Sequence, residues 1–198
     1  MNYLAHALLS CETPEAITGA MLGDFVKPGA AQQLSPAVQQ AVRRHRDIDR
    51  FTDGHEQHRQ SRTRISPERR FFSAVLVDIF YDHFLARHWA RFSTCPLEVF
   101  TRSVYDVLWP QRDTFSPRLQ RILPAMVADD WLASYAELDA VEAALDGIAW
   151  RLRRYTRARV LNGAIAELID QYDGLEADFL GFFPELVAHV NGQNRRAA

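Results

Sequence analysis

SPERRFFSAVLVDIFYDHFLAR, residues 66–87, is the stretch on which the fold turns. Phe71, Phe72, Val75, Leu76, Ile79, Phe80, Phe84 and Leu85 recur at steps of three and four. That is the period of a helix with a broad apolar stripe, and no strand alternation competes with it. Ser66-Pro67 opens the stretch as a hydroxyl N-cap with proline at the first helical position, where a missing N–H costs nothing. The same punctuation recurs at Thr13-Pro14, Ser35-Pro36 and Ser116-Pro117, each followed by helical apolar spacing.

Working outward, Val38, Val42, Ile48 and Phe51 form a thinner stripe on a more polar helix after Ser35. Val99 to Trp109, Leu119 to Trp131, Leu138 to Trp150 and Val160 to Val190 continue the helical period, with a kink or break expected at Pro184. The expectation is one all-α domain over residues 1–198, a bundle of seven or eight helices. Composition agrees: 198 residues, 47% hydrophobic and 24% charged, fit a globular chain with a sizeable core. A net charge of −2 excludes a uniformly basic nucleic-acid binder. Cys11 and Cys95 are too few for a disulfide framework or a thiolate zinc site and read as free buried thiols. Neither a secretory leader nor a membrane-spanning run is evident, so a cytosolic protein is expected.

The polar residues of the first half are harder to account for structurally. Asp78 and Asp82 stand four apart on the most apolar helix, with His83 adjacent. One turn apart on a buried face, two carboxylates need a positive neighbour, either a divalent metal or arginine. His45 and Asp49 repeat the spacing, and Asp53 extends the line by a turn. Asp24 lies at the predicted end of the second helix, and His6 among apolar residues of the first. Imidazole and carboxylate ligands suit manganese, magnesium, iron or zinc without any thiolate. His55 and His58 read as solvated residues of a turn near Gly54, and His88 and His189 as ordinary surface histidines.

Taken in order, Met1-Asn-Tyr-Leu-Ala-His6, Gly23-Asp-Phe-Val26, His45-Arg-Asp-Ile-Asp49 with Thr52-Asp53, and Asp78-Ile-Phe-Tyr-Asp-His-Phe-Leu85 followed by Arg87-His-Trp89 resemble the acyl carrier protein phosphodiesterases. The resemblance is specific through about the first 90 residues and looser to the end. It implies hydrolysis of the phosphodiester joining 4'-phosphopantetheine to a serine of holo-acyl carrier protein, a step of fatty-acid and lipid metabolism, with a divalent metal, typically Mn2+. It also implies an HD-like helical fold, because the family is regarded as a divergent relative of the HD-domain phosphohydrolases. The order Asp82-His83 reverses the HD pair, so HD ligand roles do not transfer. At matching positions, Asp24, His45, Asp49, Asp82 and His83 are the expected metal ligands. His6, His83 and Asp78 are the expected catalytic groups, His6 or His83 handling the leaving-group proton.

Of 23 basic residues, 22 are arginine. Nine fall between residues 43 and 70 against five acids, including Arg43, Arg44, Arg46 and Arg50. A second group, Arg151, Arg153, Arg154, Arg157 and Arg159, has no acid among its nine residues. Arginine grips carboxylate and phosphate bidentately, so both groups suit docking of an acidic carrier protein. Two other readings compete: a phosphohydrolase for a nucleotide or other small phosphate ester, and a non-catalytic helical adaptor for an acidic protein. Nucleic acid is disfavoured by the overall charge and by the lack of a recognisable nucleic-acid-binding motif.

Overall fold

A computed structural model describes residues 1–26 and 29–197, except for the side chains of residues 30, 156, 157 and 194–197, so Arg157 lies outside the described side chains. Among the described residues there are eleven α-helices and no strand. The all-α expectation therefore holds. The expected short first helix is present as α1 (Tyr3–Leu8). The helix number exceeds the expected seven or eight because α4 (Glu56–Arg64) forms where a turn was expected, α8 (Trp131–Ser134) adds a single turn, and the expected 160–190 helix divides into α10 (Ile165–Asp170) and α11 (Tyr172–Ala197). The chain packs as two compact units, one of Tyr3–Arg50 and His88–Ser134, the other of Met1–Asn2, Phe51–Arg87 and Tyr135–Ala198. Helix α3 (Pro36–Gly54) contributes to the first unit through Arg50 and to the second from Phe51.

In the first unit, α2 (Pro14–Leu22) packs on α1 and on α6 (Leu97–Leu108), and α7 (Pro117–Ala128) packs on α8. Leu4, Met21, Val42, Val104, Leu108, Leu119, Leu123, Met126 and Leu132 fill its interior. Thr13 caps α2 as expected, accepting from the Ala16 N–H at 3.1 Å, and Ser35 receives the Val38 N–H. Ser116 holds the N-cap position of α7 without a capping bond. Between α7 and α8 the chain turns through Asp130 at φ 42, a left-handed conformation that aspartate tolerates when its side chain is engaged. The Asp130 carboxylate does this by accepting from the Thr101 hydroxyl at 3.1 Å.

In the second unit, α5 (Ser73–Arg87) is buried from Leu76 to Ala86 except for a partly exposed Asp78. It packs against α4 (Glu56–Arg64), α9 (Leu138–Arg151) and α11 (Tyr172–Ala197). Tyr81 meets Phe179 and Phe182 at 5.4 Å, and Phe179 stacks on Phe183 at 5.2 Å. These rings explain why Pro184 does not break α11. An interior proline costs about 3 kcal/mol. Phe179, Phe182, Phe183 and Leu186 are fully buried on either side of it, and each contributes about 1.5–3 kcal/mol. The interruptions of the expected 160–190 helix come earlier, at Gly163 with φ 66, two residues after a 3₁₀ turn (Thr156–Leu161), and at Gln171 between α10 and α11.

Ser66 also departs from expectation. It caps no helix, because α5 begins only at Ser73 after a 3₁₀ turn over Arg70–Phe72. Its hydroxyl and its N–H both donate to the Glu167 carboxylate, which Arg69 approaches at 3.1 Å. The tertiary acceptor outcompetes the local cap. The cysteines differ too: both are free, Cys11 is exposed and Cys95 only half-buried, so neither is a core thiol.

Burial pushes the Glu167 carboxyl up, but the Ser66 donors and Arg69 outweigh it and hold the group below the usual carboxylate range. Its contribution to stability is therefore complete above the unfolded pKa of about 4.3 and is lost as pH falls through the lower folded value. Glu167→Gln is expected to cost roughly 2–3 kcal/mol at pH 7 and progressively less in acid. Urea unfolding at pH 7 and pH 3 reads the difference; an equal cost at both would contradict it.

Candidate functional site

The polar residues that come together in the first unit stand on α1, on α3 and just beyond α2. His45 is seated by its neighbours before any chemistry is considered. A Cβ at Gly19 would come within 2.3 Å of the Ala41 Cβ, and one at Gly23 within 2.2–2.4 Å of the His45 ring. Two glycines four apart on the end of α2 thus accept two residues four apart on α3. The His45 ring is fixed there by its Nδ1, which donates to the Ala20 carbonyl at 2.8 Å. Its Nε2 is then directed at two carboxylates, 3.3 Å from Asp49 Oδ2 and 3.5 Å from Asp24 Oδ1. A backbone carbonyl on one ring nitrogen, with the other turned toward carboxylates, is an arrangement that presents histidine to a metal.

His6 brings a second ring. It stacks on His45 with centroids 3.6 Å apart and planes within 13°, and its Nε2 lies 3.0 Å from Asp49 Oδ1. His6, His45 and Asp49 each offer a ligand atom within 4.8 Å of the others. The buried Nδ1 of His6 has no hydrogen-bond partner. Asp24, with 45% of its side chain exposed, is the open edge of the group.

Charge is distributed unevenly over this cluster. Burial lowers His6 to about 4, so its ring is neutral at pH 7. Burial acts on His45 in the same sense, but Asp24 and Asp49 overcome it and raise that ring to about 9. Both carboxyls are held below their ordinary range against burial, Asp49 by His45 and His6, Asp24 chiefly by His45. Two anionic carboxylates and the neutral His6 ring, joined by His45 once a metal displaces its Nε2 proton, form a donor set that fits a divalent cation. The orphaned His6 nitrogen is a further buried polar atom wanting a partner.

Beside Asp24 stands an aromatic and cationic group that spacing did not reveal. Phe25 lies 6.2 Å from Tyr3, and the Arg118 guanidinium sits 5.1 Å over the Phe25 ring. Tyr3 and His6 are three apart on α1 and so share a face. Arg118 follows the Ser116-Pro117 helix start, which marks a cap and says nothing about a partner nearly a hundred residues away.

Asp78, Asp82 and His83 belong to the second unit. The positive neighbour sought for Asp78 is supplied there by the Met1 amine at 3.1 Å, and His58 Nε2 lies 3.4 Å from the same oxygen. Those groups hold Asp78 below the carboxylate range although burial raises it. Asp82 is fully buried. Both ring nitrogens of His83 are engaged, Nδ1 with the Tyr135 carbonyl at 2.8 Å and Nε2 with the Tyr172 hydroxyl at 3.0 Å. Neither nitrogen is left for an ion in this arrangement, and burial lowers the ring's pKa. His58, expected in solvent, is fully buried inside α4, and His55 sits at that helix's N-cap 3.2 Å from Glu185. The reason is that α4 restarts within two residues of Gly54, which leaves no open turn.

The model of the acyl carrier protein phosphodiesterase family matches residues 1–186, which includes segments of both units. The chain is 34% identical over 188 residues to an acyl carrier protein phosphodiesterase of Serratia proteamaculans, covering 94% of this chain and 96% of that one. It is 31% identical over 191 residues to one from Salmonella paratyphi A, covering 96% and 97%, and 30% identical over 192 residues to one from Escherichia coli O127:H6, covering 96% and 98%. No solved structure matches it significantly. The chain belongs to the acyl carrier protein phosphodiesterase family. Among the described residues, no helix is long and apolar enough to cross a membrane.

Gly23→Ala is expected to displace the His45 ring while leaving the helices folded. Affinity of the cluster for Mn2+ should fall about 10–100-fold, as when a ligand's supporting contact is lost. Titration of Mn2+ by electron paramagnetic resonance, with circular dichroism as the control for folding, measures this.

Proposed function

We propose that this chain hydrolyses the phosphodiester between 4'-phosphopantetheine and the carrier serine of holo-acyl carrier protein, in the cytoplasm, with a divalent metal held by His6, His45, Asp49 and Asp24. The His6–His45–Asp49 cluster is the observation that carries the reading, and the family of the chain supplies the substrate. Manganese is the first choice of ion, with magnesium, iron and zinc as alternatives, since a mixed imidazole and carboxylate set accepts all four. A divalent ion bound there lowers the pKa of water and offsets the negative charge of a phosphodiester.

The chain's own groups divide the remaining work. His45, held by the Ala20 carbonyl, keeps its Nε2 directed at Asp24 and Asp49. Asp24, the most exposed carboxylate, accepts a hydrogen bond from the attacking water and takes its proton. His6, neutral at pH 7, serves as a donor of electrons and not of protons, so the leaving-group proton assigned to it from the sequence must come from elsewhere. Arg118, held over the ring of Phe25, the residue after Asp24, is the cation assigned to a phosphoryl oxygen of the substrate. Water's oxygen bonds to phosphorus, the bond to the serine oxygen breaks, and that oxygen leaves as the serine hydroxyl with the proton that Asp24 took from the water. The products are apo-acyl carrier protein and 4'-phosphopantetheine. In this reading Asp78, Asp82 and His83 carry no ligand role; the contacts of Asp78 and His83 within the second unit support a structural one.

Intact-protein mass spectrometry tests the reaction directly. Holo-acyl carrier protein incubated with this protein and Mn2+ should lose about 340 Da, the mass of the phosphopantetheine group, and should lose nothing with EDTA. Holo-protein unchanged under all four metals would refute the substrate, and turnover of nucleotides or other small phosphate esters in its place would favour a general phosphohydrolase.

His45→Ala and Asp49→Asn should each reduce kcat by more than about 100-fold. Arg118→Ala should lower kcat/KM on the order of 100-fold with metal content unchanged, and Arg118→Lys should recover part of it. Atomic-absorption metal content measured beside steady-state kinetics separates the two kinds of loss.

A further inference from the structure

The two arginine groups differ in what the fold leaves available. In the first, Arg44 is bound through Nη1 to both oxygens of Glu12, at 3.0 and 2.8 Å, and Arg50 pairs with Asp47 at 3.0 Å. Further along, Arg64 is committed to Asp178 and Arg69 to Glu167. Four of that group's nine arginines are thus neutralised where they stand. In the second group, Arg151, Arg153, Arg154 and Arg159 are all exposed, and the described residues give none of them an acidic partner. No Asp or Glu occurs between Asp146 and Glu167, and Glu167 is itself engaged by Ser66 and Arg69.

Among these arginines are two aromatic side chains on the surface. Trp150 is 65% exposed and Tyr155 68%. Helix α9 buries Val141, Leu145 and Ala149 at steps of four, so its core-facing stripe is complete without Trp150, which comes off the helix about 100° away from Ala149. Arg153 rigidifies the indole: its guanidinium lies 3.9 Å over the ring while Nη1 donates to the Trp150 carbonyl at 2.7 Å. The 3₁₀ turn after Tyr155 packs back on α9, which keeps the segment together. Exposed Trp, Tyr and Arg are the residue types that anchor protein interfaces, and a large aromatic left in water is otherwise unfavourable.

Resting on the carrier-protein reading above, we infer that Trp150 and Tyr155, rimmed by Arg151, Arg153, Arg154 and Arg159, form the surface that docks the acidic carrier protein. Two aromatic anchors supply the dry centre of the contact and the arginines its complementary charge. A nucleic acid is the less suitable occupant. Arg153 already covers one face of Trp150, which a stacked base would need, and the whole chain is net negative. The arginines at 43–50 are secondary to this surface.

The test uses the full chain with Mn2+ and three variants, Trp150→Ala, Tyr155→Ala and the triple Arg151→Glu, Arg153→Glu, Arg154→Glu. Each should raise KM for holo-acyl carrier protein about tenfold or more with kcat held within about twofold. Turnover of bis(p-nitrophenyl) phosphate, a small diester with no protein to dock, is the reference and should follow the unmodified chain. In the unmodified chain KM should rise with salt, and the triple variant should lose that dependence. Arg43→Glu with Arg46→Glu should change KM much less.

Binding of apo-acyl carrier protein, measured by surface plasmon resonance, separates docking from chemistry because that protein has no diester to cleave. If the unmodified chain binds it and the variants do not, the surface stands even should holo-protein escape hydrolysis. An unchanged KM and unchanged binding in all three variants overturns the inference. So does an equal loss on bis(p-nitrophenyl) phosphate, or oligonucleotide binding that the same variants abolish while carrier binding persists.

Discussion

The close approach of α2 to α3 is the constraint on which the candidate site depends. Gly19 meets Ala41 and Gly23 meets His45, each pair within the space a single Cβ would fill. A larger residue at Gly19 would force the helices apart, and one at Gly23 would push the His45 ring away from the Ala20 carbonyl that fixes its orientation. The ring's second nitrogen would then no longer bisect Asp24 and Asp49. Glycine here gives up helix propensity worth about 1 kcal/mol, and the return is a ligand placed by backbone contact, which is more rigid than one placed by another side chain. The stacked His6 ring follows from the same packing, because α1 lies directly against α2.

Electrostatics in the cluster follow from burial acting unequally on similar groups. His6 and His45 are both buried imidazoles, yet one is neutral and the other charged. The difference lies in the carboxylates: His45 faces two, whereas His6 shares Asp49 and leaves its other nitrogen without a partner. A face-to-face stack at 3.6 Å would not tolerate two positive charges, so the neutral ring beside the charged one is the arrangement with least repulsion. The second unit uses its polar residues differently. Asp78 is paired with an amine and an imidazole, Asp178 with Arg64 and Ser61, Glu167 with Arg69 and Ser66. There Asp178 and Glu167 are hydrogen-bonded and ion-paired within the protein, which is what a structural role requires, whereas Asp78 is ion-paired but its buried Oδ1 accepts no hydrogen bond among the described residues.

Much of this was legible in the sequence, for identifiable reasons. His45 and Asp49 are four apart on one helix, and a helix brings such residues together whatever else it packs on. His6 and Asp24 were reachable because they sit in short motifs at helix termini. The reading weakened where the deciding partner was remote. Ser66 looks like a cap in every local respect, and only Glu167, a hundred residues on, draws its hydroxyl away. His58 looks solvated in a polar stretch, and α4 turns it inward beside Asp78. His83 looks like a ligand next to Asp82, and Tyr135 and Tyr172 occupy both its nitrogens. Arg118 gave no signal at all, because cation–π contact with Phe25 has no sequence spacing.

What the sequence determined by itself was the helical class, the start of most helices and the identity of the ionisable residues. These depend on local periods and caps, which a few neighbouring residues specify completely. Tertiary structure decided which of those residues meet. Of the seven histidines and carboxylates expected in or around a metal site, His6, Asp24, His45 and Asp49 converge, and Asp78 and His83 find partners elsewhere. It also separated the arginine group in which four members are paired with acids from the one left open around Trp150 and Tyr155. Convergence of that kind is set by distances between segments far apart in the chain, and those distances exist only once the helices have packed.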